Sequence, residues 1–213
     1  MAGPRQFAVC FCGGSGIVYG LRLVEVLAES GAIVHLCATK AALRVLQHEA
    51  GVTVGAQQLA QLLPAPLRSR LHVHASDAVE AAPSSGSAGI AATVLIPCSM
   101  GTLARVAHGF SSNLVERAAD VALKEGRPLI VVPRETPLSK IHLQNMLRLA
   151  EAGAIVLPAM PGFYHRPTTV AELVDFVVGK VLDRLGVDHA LFRRWRTPEP
   201  PGGPASMWDE GEQ

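Results

Sequence analysis

The sequence predicts an α/β fold in which helices cover both faces of a doubly wound, mostly parallel sheet. Short runs rich in valine and isoleucine alternate with longer amphipathic stretches. The short runs are apolar on both faces, as strands are when helices cover each side. Regular alternation of strand and helix is typical of parallel sheets with right-handed crossovers. No internal repeat is evident.

The apolar pattern places each element in turn. Five strands are predicted, at residues 6–12, 32–38, 92–98, 128–133 and 154–159. Six helices are predicted, at residues 19–30, 40–50, 102–108, 114–124, 140–152 and 170–185. The last helix has one apolar stripe at helical spacing, from Val170 to Leu185. We therefore expect a single domain over residues 1–190.

Two segments depart from this alternation. Residues 81–89, AAPSSGSAG, are small and polar, which predicts a mobile loop. Residues 191–213 are rich in proline, glycine and acidic side chains and cannot form a core by themselves. They are interpreted as a tail that is either disordered or packed on a neighbouring subunit.

Length and charge exclude several classes of protein. The 213 residues are enough for one domain with a real core. A formal net charge of +1 gives no reason to expect a nucleic-acid partner or an acidic membrane surface. No apolar run approaches the roughly 18 residues of a membrane span, and the N-terminus does not resemble a secretory signal. A cytoplasmic location is expected.

The cysteines and histidines give no metal-binding pattern. The four cysteines lie in or at the ends of predicted strands, and these are Cys10, Cys12, Cys37 and Cys98. No second Cys/His pair has the spacing of a zinc site. The eight histidines are scattered without a ligand motif. We interpret the cysteines as buried, reduced core residues and predict no metal site.

Glycines, hydroxyl residues and an arginine follow the predicted strands. The strands are followed in order by GGSG, TK, SMGT, RETP and MPGFYHRP. Ligands of open α/β sheets bind beyond the carboxyl ends of the strands. Backbone N–H groups, hydroxyls and one arginine at a shared edge suit a phosphate group.

The turn after the first strand has two open interpretations. Gly13, Gly14 and Gly16 let the backbone approach a ligand, and a helix start favours an anion. A tight turn in which Ser15 caps the helix explains the same residues. The spacing matches neither the dinucleotide fingerprint GxGxxG nor a Walker loop.

Charged and aromatic residues add weaker signals. Arg134 and Glu135 directly follow a buried strand, where functional residues are common. Arg117 and Lys124 are seven residues apart and can share a helix face, although exposed helix charges are usually only solvated. Tyr164 lies in a turn, where an aromatic side chain is more often a packing residue. Lys180 carries no signal by itself.

Taken together, three stretches resemble the UbiX/Pad family of flavin prenyltransferases. These are GGSGIVYGLRL, IPCSMGTLARVAHG and the block over residues 113–183, which begins NLVERAADVALKEGRPLIVVPRETP. The resemblance extends over about residues 5–187. It implies a flavodoxin-like or Rossmann-like fold that binds FMN. It also implies a homo-oligomer of trimers, commonly a dodecamer.

The resemblance further implies an activity. Family members transfer a dimethylallyl group from dimethylallyl phosphate to N5 and C6 of reduced FMN. The product, prenylated FMN, serves a partner decarboxylase of the UbiD type. No metal is needed in this family, and the chain contains no DDxxD motif of the kind that binds magnesium diphosphate. Protein cations would hold the phosphate instead.

Site residues carry over position by position. The FMN-binding positions are Gly13, Gly14, Ser15, Thr39, Ser99, Met100, Gly101, Thr102 and Arg134. The positions that bind dimethylallyl phosphate are Tyr164 and Lys180, with Arg117, Lys124 and Arg134 as further cations. The catalytic positions are Ser15, Glu49, Lys124 and Glu135, of which Glu135 manages the protonation of the phosphate, and Glu49 and Ser15 handle protons near the flavin.

The chain departs from the family at several positions. Family members usually have alanine at Gly14 and often serine at Thr39. Many also carry a tryptophan shortly before residues 85–87, where this chain has DAVEAAP. Trp195 resembles a C-terminal tryptophan of the family that packs across subunits.

Two other functions compete with this interpretation. An FMN-dependent cysteine-type decarboxylase shares the fold, but it carries a PASANT-like segment and a catalytic histidine after the first turns. This chain has PCSMGT and no histidine before His35. A non-catalytic subunit that only carries flavin would not need Glu49, Glu135 and the phosphate-binding positions.

Overall fold

A computed structural model describes residues 3–194 of the chain. Its strands are β1 (Gln6–Phe11), β2 (Ile33–Ala38), β3 (Leu71–His74), β4 (Ile90–Cys98), β5 (Leu129–Pro133) and β6 (Ile155–Val156). They form one sheet in the order β3-β2-β1-β4-β5-β6, and every neighbouring pair is parallel. The strand order reverses between β1 and β4, and ligands of such sheets bind at that point. The predicted fold class is confirmed.

Within residues 3–194, six α-helices cover the sheet. They are α1 (Ile17–Glu29), α2 (Lys40–Ala50), α3 (Met100–Ala107), α4 (Leu114–Lys124), α5 (Lys140–Glu151) and α6 (Val170–Leu185). All six were predicted, although α1 and α3 begin two residues earlier than the apolar pattern indicated. The earlier start of α3 makes Ser99 its N-cap residue, so the SMGT turn is itself the start of a helix.

The core consists of two apolar layers, one on each face of the sheet. On one face, Phe7, Val9 and Phe11 of β1 pack against α1 and α6. On the other face, Leu95 of β4 and Val131 of β5 pack against α3, α4 and α5. Each layer removes a full set of aliphatic side chains from water, which is the main force that holds helices to the sheet.

All four cysteines lie in the second layer as buried, free thiols. Burial raises the pKa of Cys10, and it raises that of Cys37 to about 12. A thiol with such a pKa is not ionised at neutral pH and is therefore a poor nucleophile. The interpretation of these residues as reduced core side chains is confirmed.

The sequence prediction missed the edge strand β3. A side-chain hydrogen bond joins it to β2, since a ring nitrogen of His35 lies 3.0 Å from one of His74. Short 3₁₀ helices at Ala56–Leu62 and Ala65–Arg70 precede β3. The four residues LHVH are only partly buried, so they lack the apolar run by which the other strands were recognised.

Residues 81–89 are anchored to the rest of the fold, although a mobile loop was expected. They contain a 3₁₀ turn at Ala82–Ser84 in which Pro83 is buried. The guanidinium of Arg127 donates a hydrogen bond to the carbonyl of Gly86. This hydrogen bond links residues 81–89 to the segment just before β5, at the amino edge of the sheet.

The described chain ends in a segment, residues 187–194, that folds back on α6. His189 and Arg194 both contact the carboxylate of Asp183, at 3.2 Å and 2.7 Å. The expected domain boundary at residue 190 falls within this segment. Trp195 and the predicted tail beyond it lie outside the described residues. Within residues 3–194, no helix has the length and apolar character needed to cross a membrane.

Candidate functional site

The turn between β1 and α1 lies tight against the neighbouring elements. A Cβ atom at Gly14 would lie 3.2 Å from the backbone carbonyl of Cys98, and one at Gly13 would lie 2.6 Å from the Cβ of Ala41. Gly16 has a φ of 95°, a left-handed conformation that favours glycine. The glycines are therefore required by close packing at the carboxyl edge of the sheet.

A glutamate from α2 caps the start of α1. The carboxylate of Glu49 accepts hydrogen bonds from the backbone N–H of Gly16 at 2.9 Å and from that of Ile17 at 2.9 Å. The hydroxyl of Ser15 is close enough to the same carboxylate to lower its pKa. The cap of α1 is thus Glu49 from another helix, and not Ser15 as one interpretation of the turn had it. An external anion at this helix start would have to share donors that Glu49 already uses.

Arg134 joins this cluster from the end of β5. Its backbone N–H points to the carbonyl of Cys98 at 3.4 Å, and its Nε lies 3.4 Å from the carbonyl of Ser15. The side chain is exposed. Ser15, Glu49 and Arg134 come from three separate parts of the sequence and meet at one edge.

The hydrogen bonds keep Glu49 ionised. Burial alone would raise the pKa of this carboxyl group. The donors from Ser15, Gly16 and Ile17, together with the nearby charge of Arg134, outweigh burial and lower the pKa. Glu49 is therefore a carboxylate that is ionised at neutral pH and held in one position by its donors.

Tyr19 is a site residue that the sequence analysis did not identify. A Cβ atom at Gly16 would lie 2.8 Å from its ring, so the ring packs on the turn. Burial raises the pKa of its hydroxyl, an effect that the charge of Arg134 reduces. Its position near the start of α1, directly after the glycine turn, is the signal that could have drawn attention to it.

The start of α3 provides a second set of polar groups. The hydroxyl of Ser99 accepts from the backbone N–H of Thr102 at 3.3 Å and lies 3.1 Å from the hydroxyl of Thr102. The N–H groups of Met100 and Gly101 lie in the first helical turn, where no intrahelical acceptor exists. A Cβ atom at Gly101 would meet nothing within 4 Å. This helix start is open to an anion.

Thr39 begins α2 beside the same turn. Its backbone N–H donates to the carbonyl of Phe11 at 3.0 Å, and its hydroxyl accepts from the N–H of Ala42 at 3.1 Å. Because Thr39 and Glu49 stand at the two ends of α2, both ends of that helix contact the β1–α1 turn. This explains how a residue 33 positions from Gly16 reaches the site.

Glu135 lies next to Arg134 in a small cavity of about 60 Å³ that Met146 and Met160 also line. Its carboxylate accepts from the backbone N–H of Thr136 at 3.1 Å and is exposed. Glu135 thus lies at the edge where the other residues meet and remains free to contact a ligand.

Tyr164 and Lys180 lie together in a different pocket of about 560 Å³. The other lining residues are His165, Phe176, Phe192 and Arg193. The pocket combines one ammonium group with aromatic walls, and none of the residues at the β1–α1 turn borders it. The sequence analysis proposed Tyr164 and Lys180 but not the aromatic residues around them.

Arg117 and Lys124 do not join either group within one chain. The helix that carries them, α4, ends where β5 is about to begin, which is the amino edge of the sheet. Arg117 pairs with Asp120 at 2.6 Å, and Lys124 pairs with Glu125. The described fold therefore brings the residues around the β1–α1 turn together at one place, and Tyr164 and Lys180 together at another. Arg117 and Lys124 of α4 lie apart from both places.

Comparison with known sequences gives a consistent family. A family model described as Flavoprotein matches residues 1–182. The chain is 51% identical over 192 residues to flavin prenyltransferase UbiX of Alkalihalophilus pseudofirmus, which covers 90% of this chain and 96% of the relative. It is 46% identical over 202 residues to flavin prenyltransferase UbiX of Pseudomonas aeruginosa, with 92% and 96% covered.

Comparison with solved structures agrees. The crystal structure of AnUbiX (PadA1) with FMN and dimethylallyl pyrophosphate matches with a TM-score of 0.82 and 36% identity, covering 92% of this chain and 100% of that one. A dodecameric FMN-dependent UbiX-like decarboxylase from Escherichia coli O157:H7 matches with a TM-score of 0.80 and 39% identity, covering 90% and 100%. The cysteine decarboxylase TvaF matches at only 22% identity and a TM-score of 0.53, a likeness of fold alone.

Proposed function

Because the chain belongs to the UbiX family of flavin prenyltransferases, we propose that it transfers a dimethylallyl group from dimethylallyl phosphate to N5 and C6 of reduced FMN. The observation that carries this proposal is the cluster of Ser15, Glu49 and Arg134 at the carboxyl edge of the sheet. A proton acceptor and a cation are held there beside an open helix start, which is what an anionic flavin substrate and its prenylation require.

The residues at this edge fit FMN. Gly13 and Gly14 keep the turn free of side chains where it lies against α2 and β4. The open N–H groups at the start of α3 and the exposed guanidinium of Arg134 suit the phosphate of FMN. Ser15, Thr39, Ser99 and Thr102 supply hydroxyls along the same edge. We assign these residues, with Met100 and Gly101, to FMN binding.

Reduced FMN supplies the electron-rich ring that accepts the prenyl group. Glu49, held as a carboxylate, would accept the proton that the ring loses, and Ser15 would orient that carboxylate. Glu135 would give a proton to the departing phosphate or share one with it. Close alignment of the two substrates in one pocket contributes more to such a reaction than a strong base does.

The departing phosphate requires cations, and Arg134 and Lys180 supply part of the set, while Tyr164 adds a hydroxyl that can donate a hydrogen bond. We propose that Arg117 and Lys124 complete it in the site of a second copy of the chain, because in their own chain they pair with Asp120 and Glu125 and line neither of the two pockets. Cations focused on the leaving oxygen stabilise the charge that develops on it. The active site would then be shared between subunits.

A homo-oligomer is consistent with the exposed surface. Large apolar side chains remain exposed on α5 and in the turn after β6, among them Leu147 at 59% and Phe163 at 57%. Apolar groups of this size are usually covered in an assembly. With a dodecameric relative at 39% identity, we propose trimers that associate into a dodecamer.

We further propose that the prenylated FMN is passed to a decarboxylase of the UbiD type. The product is a modified cofactor and not a metabolite end point, so an enzyme that uses it must receive it. The cytoplasmic location expected from the sequence stays a prediction.

The test is one anaerobic experiment. The protein is mixed with reduced FMN and dimethylallyl phosphate, and the mass of the flavin is measured. We expect the gain of one five-carbon unit. Binding of both substrates without any gain in flavin mass would overturn the assignment.

A further inference from the structure

The ammonium group of Lys180 lies over aromatic rings and not beside a carboxylate. Its Nζ is 5.7 Å from the ring centroid of Phe176 and 5.4 Å from that of Phe192. The side chain one helical turn along α6 that could neutralise it is Asp183. That carboxylate is occupied, because His189 and Arg194 both contact it. Among the described residues, Lys180 therefore has no ion-pair partner.

A single segment, residues 187–194, both occupies the carboxylate of Asp183 and places a ring beside Lys180. Residues 187–194 bring His189 and Arg194 to Asp183, and the same segment brings Phe192 to Lys180. The ring of Phe192 lies against Phe176, with 5.0 Å between centroids, and against His189 at 5.3 Å. It packs over Gly179, where a Cβ atom would clash with the Phe192 ring. The segment thus removes a competing carboxylate and supplies an aromatic face.

An aromatic face and a carboxylate have different consequences for a lysine. Both hold the ammonium group in place, but a ring attracts it through its quadrupole and leaves the net charge uncompensated. A carboxylate would cancel the charge and compete with an incoming anion. A lysine that must bind a phosphate is therefore better placed on rings.

We propose that Phe192 and Phe176 position Lys180 for the phosphate of the substrate, so that residues 187–194 form a wall of the binding pocket. This inference rests on the proposed function, in which Lys180 binds that phosphate. Phe192 acts through Lys180 and is thus a positioning residue, not a catalytic one. The substrate class it favours is a phosphate monoester with a short hydrocarbon group, which suits a cation beside apolar walls.

The experiment measures binding of dimethylallyl phosphate, and separately of inorganic phosphate, to the full-length FMN-loaded protein by calorimetry. Phe192→Leu keeps an apolar side chain but removes the ring, and Phe192→Tyr keeps the ring. Phe110→Leu is the matched control, since it removes a ring 5.3 Å from Arg105 at a different site. Lys180→Ala reports the contribution of the cation itself.

We expect Phe192→Leu to weaken binding about 3- to 10-fold, equal to about 0.7–1.4 kcal/mol. Phe192→Tyr and Phe110→Leu should stay within about twofold of the wild type. In turnover, KM for dimethylallyl phosphate should rise in Phe192→Leu while kcat and the affinity for FMN change little. If Phe192→Leu fails to fold, Phe176→Leu is measured with the same expectation.

Several results would overturn the inference. They are unchanged binding in Phe192→Leu, equal weakening in Phe192→Leu and Phe192→Tyr, or unchanged binding in Lys180→Ala. The proposed function fails separately, if the wild type binds both substrates but adds no prenyl group to FMN. Because binding is measured directly, the role of Phe192 is still decided in that case.

Discussion

One charged side chain of the predicted site, Glu49, lies against the β1–α1 turn, and another, Lys180, lies in the pocket beside α6. The two charges have very different neighbours. Glu49 accepts hydrogen bonds from two backbone N–H groups, and the nearby hydroxyl of Ser15 further stabilises its charge. Lys180 lies over two phenyl rings and has no ion pair with a described residue. The carboxylate of Glu49 is held in place by donors that also compensate its charge. The ammonium group of Lys180 is held in place by the rings, but its charge is not neutralised.

The difference corresponds to different tasks. In the proposed reaction, Glu49 must be ionised and held in one position before it receives a proton, and its hydrogen-bond donors provide both, although they also make it a weaker base. A group that binds a phosphate must still have free charge when the phosphate arrives. The contrast can be tested by changing each region in turn.

The largest expected effect follows from Glu49→Gln. The substitution keeps the shape of the side chain but removes the charge that accepts a proton, so prenylation should fall about 100-fold or more. The affinity for FMN should change far less, because the amide oxygen can still accept from Gly16. Turnover and flavin binding measured on one preparation check this. Near-normal turnover would show that Glu49 only caps α1.

The next effect tests whether α4 serves a neighbouring subunit. Lys124→Ala alone should lower prenylation about 30- to 100-fold, since it removes a cation from the leaving phosphate. Co-expression of Lys124→Ala chains with Glu49→Gln chains should restore about a quarter of the sites, by random mixing of subunits in a symmetric oligomer. Rates of the mixed and single-variant oligomers provide the measurement. Activity that stays at the single-variant level would place Lys124 in its own chain's site.

A smaller effect is expected on the pH dependence of the free energy of unfolding, through the titration of Glu49 at the β1–α1 turn. The pKa of Glu49 in the folded protein lies below its ordinary value of 4.5, so the folded state binds fewer protons than the unfolded state near that pH. The contribution of this group to stability is present above pH 4.5 and is lost as the pH falls through the lower folded-state pKa.

The difference in Tm between the wild type and Glu49→Gln isolates this contribution. It should be a few degrees at pH 6 and should shrink steadily below pH 4.5. Other titrating groups, such as His35, are common to both proteins and cancel. A difference that is constant from pH 6 to pH 3 would mean that the charge of Glu49 does not stabilise the turn.

The smallest effect is expected on the free energy of unfolding when His165, in the pocket beside α6, is replaced. Both ring nitrogens of His165 are buried and have no hydrogen-bond partner among residues 3–194, and the ring stacks on Phe176 with 5.4 Å between centroids. Replacing it by phenylalanine removes unsatisfied polar atoms and keeps the ring, so the free energy of unfolding should stay unchanged or rise by about 1 kcal/mol. Urea denaturation measures it. A loss of more than about 1 kcal/mol would reveal a polar partner for His165.

The same contrast explains how much the sequence could predict. Strands with continuous apolar runs and helices with a clear stripe were identified, whereas β3 was missed because an edge strand of alternating histidines lacks such a run. For the site, glycines and hydroxyls that follow strands could be placed at one edge from topology alone. Glu49 was assigned only through family resemblance, because its contact with Gly16 depends on how α2 lies across that edge.

The second region was harder to predict for a physical reason. Phe176 and Phe192 read as ordinary core aromatics, and their relation to Lys180 exists only when residues 187–194 fold back on α6. Nothing in their spacing indicates that contact. For Arg117 and Lys124, the sequence indicated two cations that can share a helix face, and their assignment to the phosphate stays a prediction, because a single chain does not show the surroundings that a second copy would add.

Gly179 has a consequence for efforts to make this protein more robust. Glycine within a helix costs about 1 kcal/mol relative to alanine, so a thermostabilising library would select this buried position of α6 early. A methyl group there would clash with the ring of Phe192 and would lie 2.7 Å from the ring of His189. The replacement would strengthen the helix and displace the wall beside Lys180. Gly179 should therefore be excluded from any library that is screened for heat resistance without a measurement of substrate affinity.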